Sequence, residues 1–160
     1  MTDLRVGHGY DVHRFAKDRE LIIGGEKIEY EYGLLGHSDA DVLLHAVMDA
    51  LLGAAALGDI GRHFPDTSDE FFGISSMELL SRVVLLLSER GFSTVNVDAT
   101  VVMQKPRLSP YVEKMRRNIA MALGIDLDRV NIKATTEERL GFTGEGLGAA
   151  AHAVVLIEKQ

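Results

Sequence analysis

The sequence predicts an α/β protein, an α+β sandwich in which a single mixed β-sheet carries helices on one face. Three observations lead to this class. The chain has 160 residues, which fits one domain, and we assign residues 1–160 to it. Segments with alternating apolar residues, typical of strands, are interleaved with longer apolar patterns typical of helices. No repeat, linker or low-complexity tract divides the chain.

Each element follows from its periodicity and from the residues at its ends. Serine caps helix N-termini, proline suits the first helical position, and glycine ends helices. In the first half of the chain we predict an alternating strand over 3–12, a hairpin over 21–28 around Gly24-Gly25, and an Ala/Leu-rich helix over 39–57 between the N-cap Ser38 and Gly58. An aperiodic loop over 59–73 follows, and then a helix from the capping residue Ser75 to Gly91. In the second half we predict an alternating strand over 95–103, a helix from Ser109-Pro110 to Gly124, a strand over 130–134, a glycine-rich loop over 141–148 and a strand over 149–158.

The acidic composition excludes a nucleic-acid surface. The chain has 24 acidic residues against 17 Lys and Arg, for a net charge of −7, whereas nucleic-acid binding relies on cations that neutralise phosphates. A small phosphorylated ligand remains compatible if divalent cations stand between carboxylates and phosphates. The chain has no cysteine, which excludes thiolate chemistry. Neither a signal peptide nor a membrane span is predicted, and we expect a cytoplasmic location.

Asp11, His13 and His45 are candidate metal ligands. Asp11 and His13 are two apart on a predicted strand and share a face. His45 lies within an Ala/Leu-rich helix, where an aliphatic residue would pack better. Together they form a two-histidine, one-carboxylate set that suits zinc, with Asp41 or Asp49 orienting His45 from one helical turn away. Alternatively, Asp11 and His13 are a polar strand end, and His45 is a buried histidine hydrogen-bonded to carboxylates.

Further polar clusters suggest phosphate chemistry. The hydroxyls and carboxylates of Thr135–Glu138 suit Mg²⁺ or are merely solvated, and Lys105 and Arg107 either meet a phosphate or aid solubility. His8 and His152 are interpreted as structural, and His63 as incidental. No nucleophile elbow, P-loop or dinucleotide fingerprint occurs in the expected setting. This favours chemistry in which metals orient the reactants.

Five motifs resemble those of the 2-C-methyl-D-erythritol 2,4-cyclodiphosphate synthase family. They are GHGYDVH (7–13), LLGHSDADVLLHA (34–46), GDIGRHFPD (58–66), QKPRL (104–108) and KATTEERLGFTG (133–144), and they span nearly the whole chain. The resemblance implies a homotrimer with inward-facing sheets and active sites between subunits. This agrees with a sheet that its helices can cover on one face only.

The resemblance also implies a reaction and its cofactors. The family is a phosphorus-oxygen lyase of the non-mevalonate isoprenoid pathway. It converts 4-diphosphocytidyl-2-C-methyl-D-erythritol 2-phosphate to the cyclic 2,4-diphosphate and CMP by attack of the 2-phosphate on the β-phosphorus. By the same resemblance, Asp11, His13 and His45 would hold Zn²⁺ or a similar ion, Glu138 would hold Mg²⁺ or Mn²⁺ on the substrate phosphates, and His37 and Thr136 would stabilise the transition state.

The resemblance assigns a larger set of residues to the substrate. Asp59, Ile60, Gly61, Phe64 and Asp66 would hold the erythritol part, and residues 103–109 and 134–136 of the adjacent subunit would hold the cytidine part. The whole set is Asp11, Val12, His13, His37, Ser38, Asp59, Ile60, Gly61, Phe64, Pro65, Asp66, Thr67, Ser68, Met103, Gln104, Lys105, Pro106, Arg107, Leu108, Ser109, Ala134, Thr135, Thr136, Glu137, Glu138 and Phe142. Two alternative functions remain open. One is a zinc phosphohydrolase that activates water at the open metal position, and the other is a noncatalytic trimeric scaffold with structural zinc.

Overall fold

A computed structural model describes residues 3–160 as a five-stranded mixed sheet, in the order β4-β1-β7-β5-β6, with a separate two-stranded ribbon of β2 and β3. The strands are β1 (Leu4–Ala16), β2 (Leu21–Ile23), β3 (Glu26–Ile28), β4 (Gly33–Leu34), β5 (Phe92–Val102), β6 (Val130–Thr135) and β7 (Gly148–Lys159). The helices are α1 (Val42–Ala54), α2 (Ile60–His63), α3 (Ser76–Glu89), α4 (Val112–Leu123) and α5 (Gly141–Gly144), with 3₁₀ turns at Asp69–Phe71 and Leu127–Arg129. The predicted class is confirmed.

The register of the sheet aligns four positions that bear on the site. Asp11 of β1 pairs with Ala151 of β7, which pairs with Val101 of β5, which pairs with Ala134 of β6. Three steps of about 4.8 Å each place the ends of this row roughly 14 Å apart. The Asp11 motif and the motif that begins beside Ala134 therefore lie near the same level of the sheet, on strands that do not touch.

Strand β1 alternates as predicted, but its apolar side chains point away from the helices. Leu4, Val6, Tyr10 and Val12 are between 40% and 69% exposed. Val154 of β7 is exposed as well. One face of the sheet therefore carries a set of uncovered apolar side chains, which we call the outer face.

The inner face of β1 contacts α1 backbone to backbone. A Cβ atom built on Gly7 would lie 1.9 Å from the carbonyl oxygen of Ala50, and one built on Gly9 would lie 1.8 Å from that of Ala46. Only glycine permits this approach. Helix α1 is otherwise apolar on nearly all sides, with 11 of its 13 residues buried, as expected of a central helix.

Helix α1 is shorter than the predicted helix over 39–57, and Ser38 is not its N-cap. Ala40 has a positive φ of 57°, which a helical residue cannot have. Asp41 caps the helix instead, because its carboxylate accepts a hydrogen bond from the Leu44 amide at 3.0 Å. The helix ends at Ala54, and a second positive φ of 57° at Ala56 prevents its extension to Gly58.

Other boundaries differ in smaller ways. Pro110 precedes α4 rather than starting it, since Tyr111 is the N-cap. The predicted loop over 59–73 contains the single turn α2 and a 3₁₀ turn. Strand β1 extends beyond residue 12 because Phe15 and Ala16 pair with β4, which the sequence did not predict. Within residues 3–160, no helix combines the length and hydropathy needed to cross a membrane.

Candidate metal and substrate site

One carboxylate and two imidazoles converge between β1 and α1. Asp11 Oδ2 lies 2.8 Å from His13 Nε2 and 3.1 Å from His45 Nδ1, and the two ring nitrogens are 3.1 Å apart. Asp11 and His13 share the inner face of β1, and His45 is the fourth residue of α1. All three ligand atoms lie within 4.8 Å of one another. We call this set the triad.

The ring nitrogen of His13 that faces away from the triad makes the hydrogen bond that is typical of metal-binding histidines. His13 Nδ1 lies 2.9 Å from the carbonyl oxygen of Leu35. Because a carbonyl can only accept, Nδ1 carries the proton and donates it, which leaves the lone pair of Nε2 facing the triad. Metal-binding histidines commonly donate their other ring nitrogen to a backbone carbonyl in this way. The donor set therefore fits a divalent cation.

The charges of the triad also suit a cation. Burial raises the pKa of the Asp11 carboxyl, but hydrogen bonds and charge interactions with His13 and His45 outweigh it and lower its pKa to about 2. Burial, the largest single effect, lowers the pKa of His13, but the hydrogen bond and charge interaction with Asp11 and the hydrogen bond with the Leu35 carbonyl together outweigh it, so the net shift is upward. A metal binds only the neutral imidazole, so the raised pKa of His13 means that protons compete with a cation for Nε2.

The carboxylates predicted to orient His45 do not contact its ring. Asp41 turns back to the helix N-terminus and accepts hydrogen bonds from the amides of Gly24 and Gly25. Asp49 accepts one from the amide of Ile60. That prediction was wrong because residues one helical turn from His45 are used for capping and loop contacts. His45 Nε2 instead meets the hydroxyls of Ser76 at 3.0 Å and Ser38 at 3.2 Å.

The triad opens onto a cavity of about 490 Å³, which we call the first cavity. Its lining is His13, Gly36, His37, Ser38, His45, Ile60, Gly61, Phe64, Pro65, Asp66, Thr67, Phe71 and Leu79. His37 Nε2 lies 2.9 Å from the carbonyl oxygen of Ser68, and Asp59 caps α2 through the Arg62 amide. Most of the residues that the resemblance assigns to the erythritol part lie here. Val12, which the resemblance also assigns to the substrate, does not line this cavity, because its side chain lies on the outer face.

A second cavity, of about 820 Å³, lies at the β5–β6 edge. Its lining is Met103, Gln104, Lys105, Pro106, Arg107, Leu108, Ser109, Ala134, Thr135 and Thr136. This set matches the residues that the resemblance assigns to the cytidine part. Lys105 and Arg107 give the second cavity two cationic groups.

Glu137, Glu138 and Phe142 lie in the segment that follows the second cavity. Glu138 is exposed, has a positive φ of 54°, and donates its amide to Thr136 Oγ1 at 3.3 Å. Glu137 accepts a hydrogen bond from the buried Thr143 hydroxyl. Phe142 is 40% exposed. None of these side chains belongs to the group of possible metal ligands that the structure brings together within residues 3–160.

His37 and Thr136 line different cavities of the same chain. His37 lies with the triad, whereas Thr136 follows β6. The row of paired residues that runs from Asp11 of β1 to Ala134 of β6, which we call the transverse row, is roughly 14 Å long. The two residues that the resemblance assigns to the transition state therefore lie in separate places on one chain.

Asp41 gives a testable pH dependence. The carboxyl is fully buried, and burial, with a smaller contribution from Asp39, outweighs three amide hydrogen bonds to raise its pKa from 3.8 to about 6. A group whose pKa is raised in the folded state stabilises the fold at pH values below its ordinary pKa. That stabilisation is lost as the pH rises through the pKa that the group has in the folded state. The full difference corresponds to about 3 kcal/mol.

We therefore expect the wild type to gain free energy of unfolding relative to Asp41→Asn as the pH falls from 7 toward about 4. Urea unfolding of both metal-free chains across this range measures the difference. Asparagine does not titrate, so the variant supplies the reference curve. A difference that stays constant with pH would contradict the raised pKa.

The sequence did not predict a role at the site for three residues that lie near it. Ser76 contacts His45, and Asp39 accepts a hydrogen bond from the Ser76 hydroxyl at 2.5 Å. Arg19 donates to the carbonyl oxygens of Leu34, Gly36 and Ser38 and so holds the segment before α1. No spacing signal links these residues, because each comes from a different part of the chain.

Comparisons with known proteins agree with this geometry. A family model described as the YgbB family matches residues 4–158. A 2-C-methyl-D-erythritol 2,4-cyclodiphosphate synthase of Trichlorobacter lovleyi is 59% identical over 157 residues, covering 98% of this chain and 100% of the relative.

Solved structures agree as well. The bifunctional IspDF of Campylobacter jejuni matches with a TM-score of 0.96 and 42% identity, over 100% of this chain and 43% of that one. An IspF of Plasmodium falciparum, described as a CDP complex, matches with a TM-score of 0.86 and 31% identity, over 100% and 99%. The resemblance drawn from the five motifs is confirmed, and the chain belongs to the YgbB family, that of the 2-C-methyl-D-erythritol 2,4-cyclodiphosphate synthases.

Proposed function

We propose that the chain is a phosphorus-oxygen lyase that closes a cyclic diphosphate. Its substrate is 4-diphosphocytidyl-2-C-methyl-D-erythritol 2-phosphate, and its products are 2-C-methyl-D-erythritol 2,4-cyclodiphosphate and CMP, in the non-mevalonate isoprenoid pathway. Membership of the family supports this activity. The observation that carries it is the convergence of Asp11, His13 and His45 beside the first cavity.

The triad would hold Zn²⁺ or a similar transition-metal ion, and Glu138 would hold Mg²⁺ or Mn²⁺. Two imidazole nitrogens and one carboxylate oxygen suit zinc and leave room for a further ligand, and an exposed carboxylate suits a hard cation shared with phosphate oxygens. When bound, the two cations supply charge that offsets repulsion between the reacting phosphates. Specificity of the triad for zinc is part of the proposal.

The chain's own groups position the substrate. His37 would contact a phosphate from the first cavity, and the Thr136 hydroxyl would donate a hydrogen bond to one from the second; these two are the proposed catalytic residues. Ser38 would contact phosphate beside them. The substrate brings its own nucleophile, so the chain needs no activated serine or cysteine. Alignment of two ends of one molecule can contribute up to about 7–11 kcal/mol in well-oriented systems.

The second cavity would take the cytidine part. Met103 and Leu108 are buried and form its apolar base, while Lys105 and Arg107 add positive charge. A nucleoside diphosphate offers an apolar ring face together with anionic phosphates, and this combination matches the lining. The remaining residues assigned by resemblance, including Val12, Asp59, Ser68, Glu137 and Phe142, complete the proposed substrate contacts.

We infer a homotrimer in which each active site lies between subunits. Exposed Leu4, Val6 and Tyr10 on the outer face support self-association. The separation of the first and second cavities within one chain supports a site completed by a neighbour. A single domain over residues 1–160 and a cytoplasmic location complete the proposal.

Phosphorus NMR of the products tests the activity directly. The enzyme, Mg²⁺ and the cytidylylated 2-phosphate substrate are expected to give a cyclic diphosphate and CMP. CMP with a linear product would favour the zinc phosphohydrolase instead. A zinc-loaded chain without turnover would favour the noncatalytic scaffold.

Mixed assemblies test the site between subunits. Asp11→Asn and Glu138→Gln are each expected to be nearly inactive alone, because each disables one half of every site. In randomly mixed trimers, about one quarter of the interfaces combine two intact halves, so co-expression should restore about one quarter of the wild-type activity. Assemblies verified as mixed by mass spectrometry but still inactive would show that each chain completes its own site. Co-expressed wild type and Asp11→Asn provide the positive control.

A further inference from the structure

His45 has two ring nitrogens in different surroundings. Nδ1 faces the triad, whereas Nε2 faces the hydroxyl groups of Ser76 and Ser38. A neutral imidazole carries one proton, and only the nitrogen without it can bind a metal. Nδ1 can therefore act as a ligand only when the proton resides on Nε2. The tautomer of His45 decides whether the triad is competent.

Asp11 acts against that tautomer in the absence of metal. Its Oδ2 lies 3.1 Å from His45 Nδ1. A carboxylate accepts hydrogen bonds only, so this contact favours a proton on Nδ1. A competing interaction on the other side of the ring is needed to keep the proton on Nε2.

Ser76 and Asp39 supply that interaction. The Ser76 hydroxyl donates to Asp39 Oδ1 at 2.5 Å, and the Ser76 amide donates to Asp39 Oδ2 at 3.0 Å. Since the only hydroxyl proton of Ser76 is directed to Asp39, its oxygen can meet His45 Nε2 only as an acceptor. Nε2 must then carry the proton. Ser76 is fully buried, so water does not compete for this contact.

Ser38 does not impose the same constraint. Its hydroxyl oxygen accepts a hydrogen bond from the Ala40 amide at 3.2 Å, which leaves its proton free to turn toward His45 Nε2. Ser38 is therefore compatible with both tautomers. Asp39 therefore sets the direction of the hydrogen bonds that run from His45 to Ser76 and from Ser76 to Asp39, because its carboxylate can only accept.

We propose that Asp39, acting through Ser76, is a positioning residue that holds His45 in the Nε2-protonated tautomer and so prepares Nδ1 to bind the metal. The inference rests on the proposed metal site and adds two residues to it. Neither Asp39 nor Ser76 lies among the possible metal ligands of the triad. Their role is exerted through the ring of His45.

Zinc affinity of the full-length chain tests the proposal. Removal of a group that orients a metal ligand typically weakens metal binding about 10- to 100-fold, and we expect this loss in Ser76→Ala. Ser75→Ala is the matched control, because Ser75 caps the same end of α3 through the Met77 amide and makes no contact with His45. Competition titrations with a chromophoric chelator should show wild-type affinity in this control.

Nitrogen NMR of the imidazole rings adds a readout that needs no metal. In metal-free protein at alkaline pH, Ser76→Ala should have a larger Nδ1-protonated fraction of His45 than the wild type or Ser75→Ala. If Ser76→Ala does not fold, Asp39→Asn serves instead. The carboxylate accepts from the Ser76 amide and the Ser76 hydroxyl through two different oxygens, and asparagine replaces one of these acceptors with an NH₂ donor, so the same shifts are expected.

Two results separate the possible failures. Zinc affinity and tautomer populations in Ser76→Ala equal to those of Ser75→Ala would overturn the positioning role alone. A wild-type chain that binds no divalent cation would overturn the proposed metal site and the positioning role with it.

Discussion

Replacement of His45 by alanine is expected to abolish metal binding at the triad and to lower the cyclisation rate by about a thousandfold. The remaining carboxylate and imidazole are too few to hold the ion tightly. Loss of the metal's charge removes several kcal/mol of stabilisation from the transition state. A thousandfold lower rate corresponds to about 4 kcal/mol. Metal content by mass spectrometry and CMP release measure the two effects.

A second histidine variant provides the control for metal binding. His63 Nε2 lies 2.8 Å from the carbonyl oxygen of Leu57, outside the triad. His63→Ala should therefore retain the metal stoichiometry of the wild type. A His45→Ala chain that is folded, metal-free and fully active would refute the proposed role of the triad.

Replacement of Gly9 by alanine is expected to lower the free energy of unfolding by 3 kcal/mol or more. Its new Cβ would lie 1.8 Å from the Ala46 carbonyl oxygen. That atom belongs to the backbone of a buried helix and cannot rotate away. Overpacking of a core, including the backbone shifts it forces, typically costs about 1–3 kcal/mol and occasionally more, and a separation of 1.8 Å places this site at the upper end. Urea unfolding of the metal-free chain measures the loss.

The same variant should weaken metal binding, because Ala46 follows His45 and Gly9 lies two residues before Asp11. Separation of α1 from β1 pulls the ligands apart. Gly53→Ala is the matched control in α1, since nothing lies within 4 Å of its built Cβ. Alanine there should stabilise the chain by roughly 0.5–1 kcal/mol. Equal stability of the two variants would contradict the close contact between β1 and α1.

The sequence predicted the triad because local periodicity carries the needed information. Residues that are two positions apart on a strand share a face, so the predicted strand places Asp11 beside His13. His45 stood out because an ionisable residue in an Ala/Leu-rich helix needs a partner. The order of the longer strands and helices was predictable for the same reason, whereas the two-residue strand β4 was not. The assignment of the second cavity depended on the family resemblance, since its two loops show no periodicity.

The details that the sequence did not predict arise from irregular backbone. The positive φ of Ala40 moves the start of α1 to Val42 and frees Asp39 to reach Ser76. No periodic pattern reveals such a turn, because alanine gives no signal for a left-handed conformation. The contact between Asp39 and Ser76 also joins positions 37 residues apart. Only the folded chain brings them together.

The transverse row from Asp11 to Ala134 limits where this chain can tolerate a change of length. Insertion of one residue in β1 between Gly9 and Asp11 would turn Asp11 and His13 to the outer face, because side chains alternate along a strand. The same insertion in the segment between α4 and β6 would leave the row unchanged. Variation in chain length among functional homologues should therefore be confined to loops, while the strand interiors keep a fixed residue count.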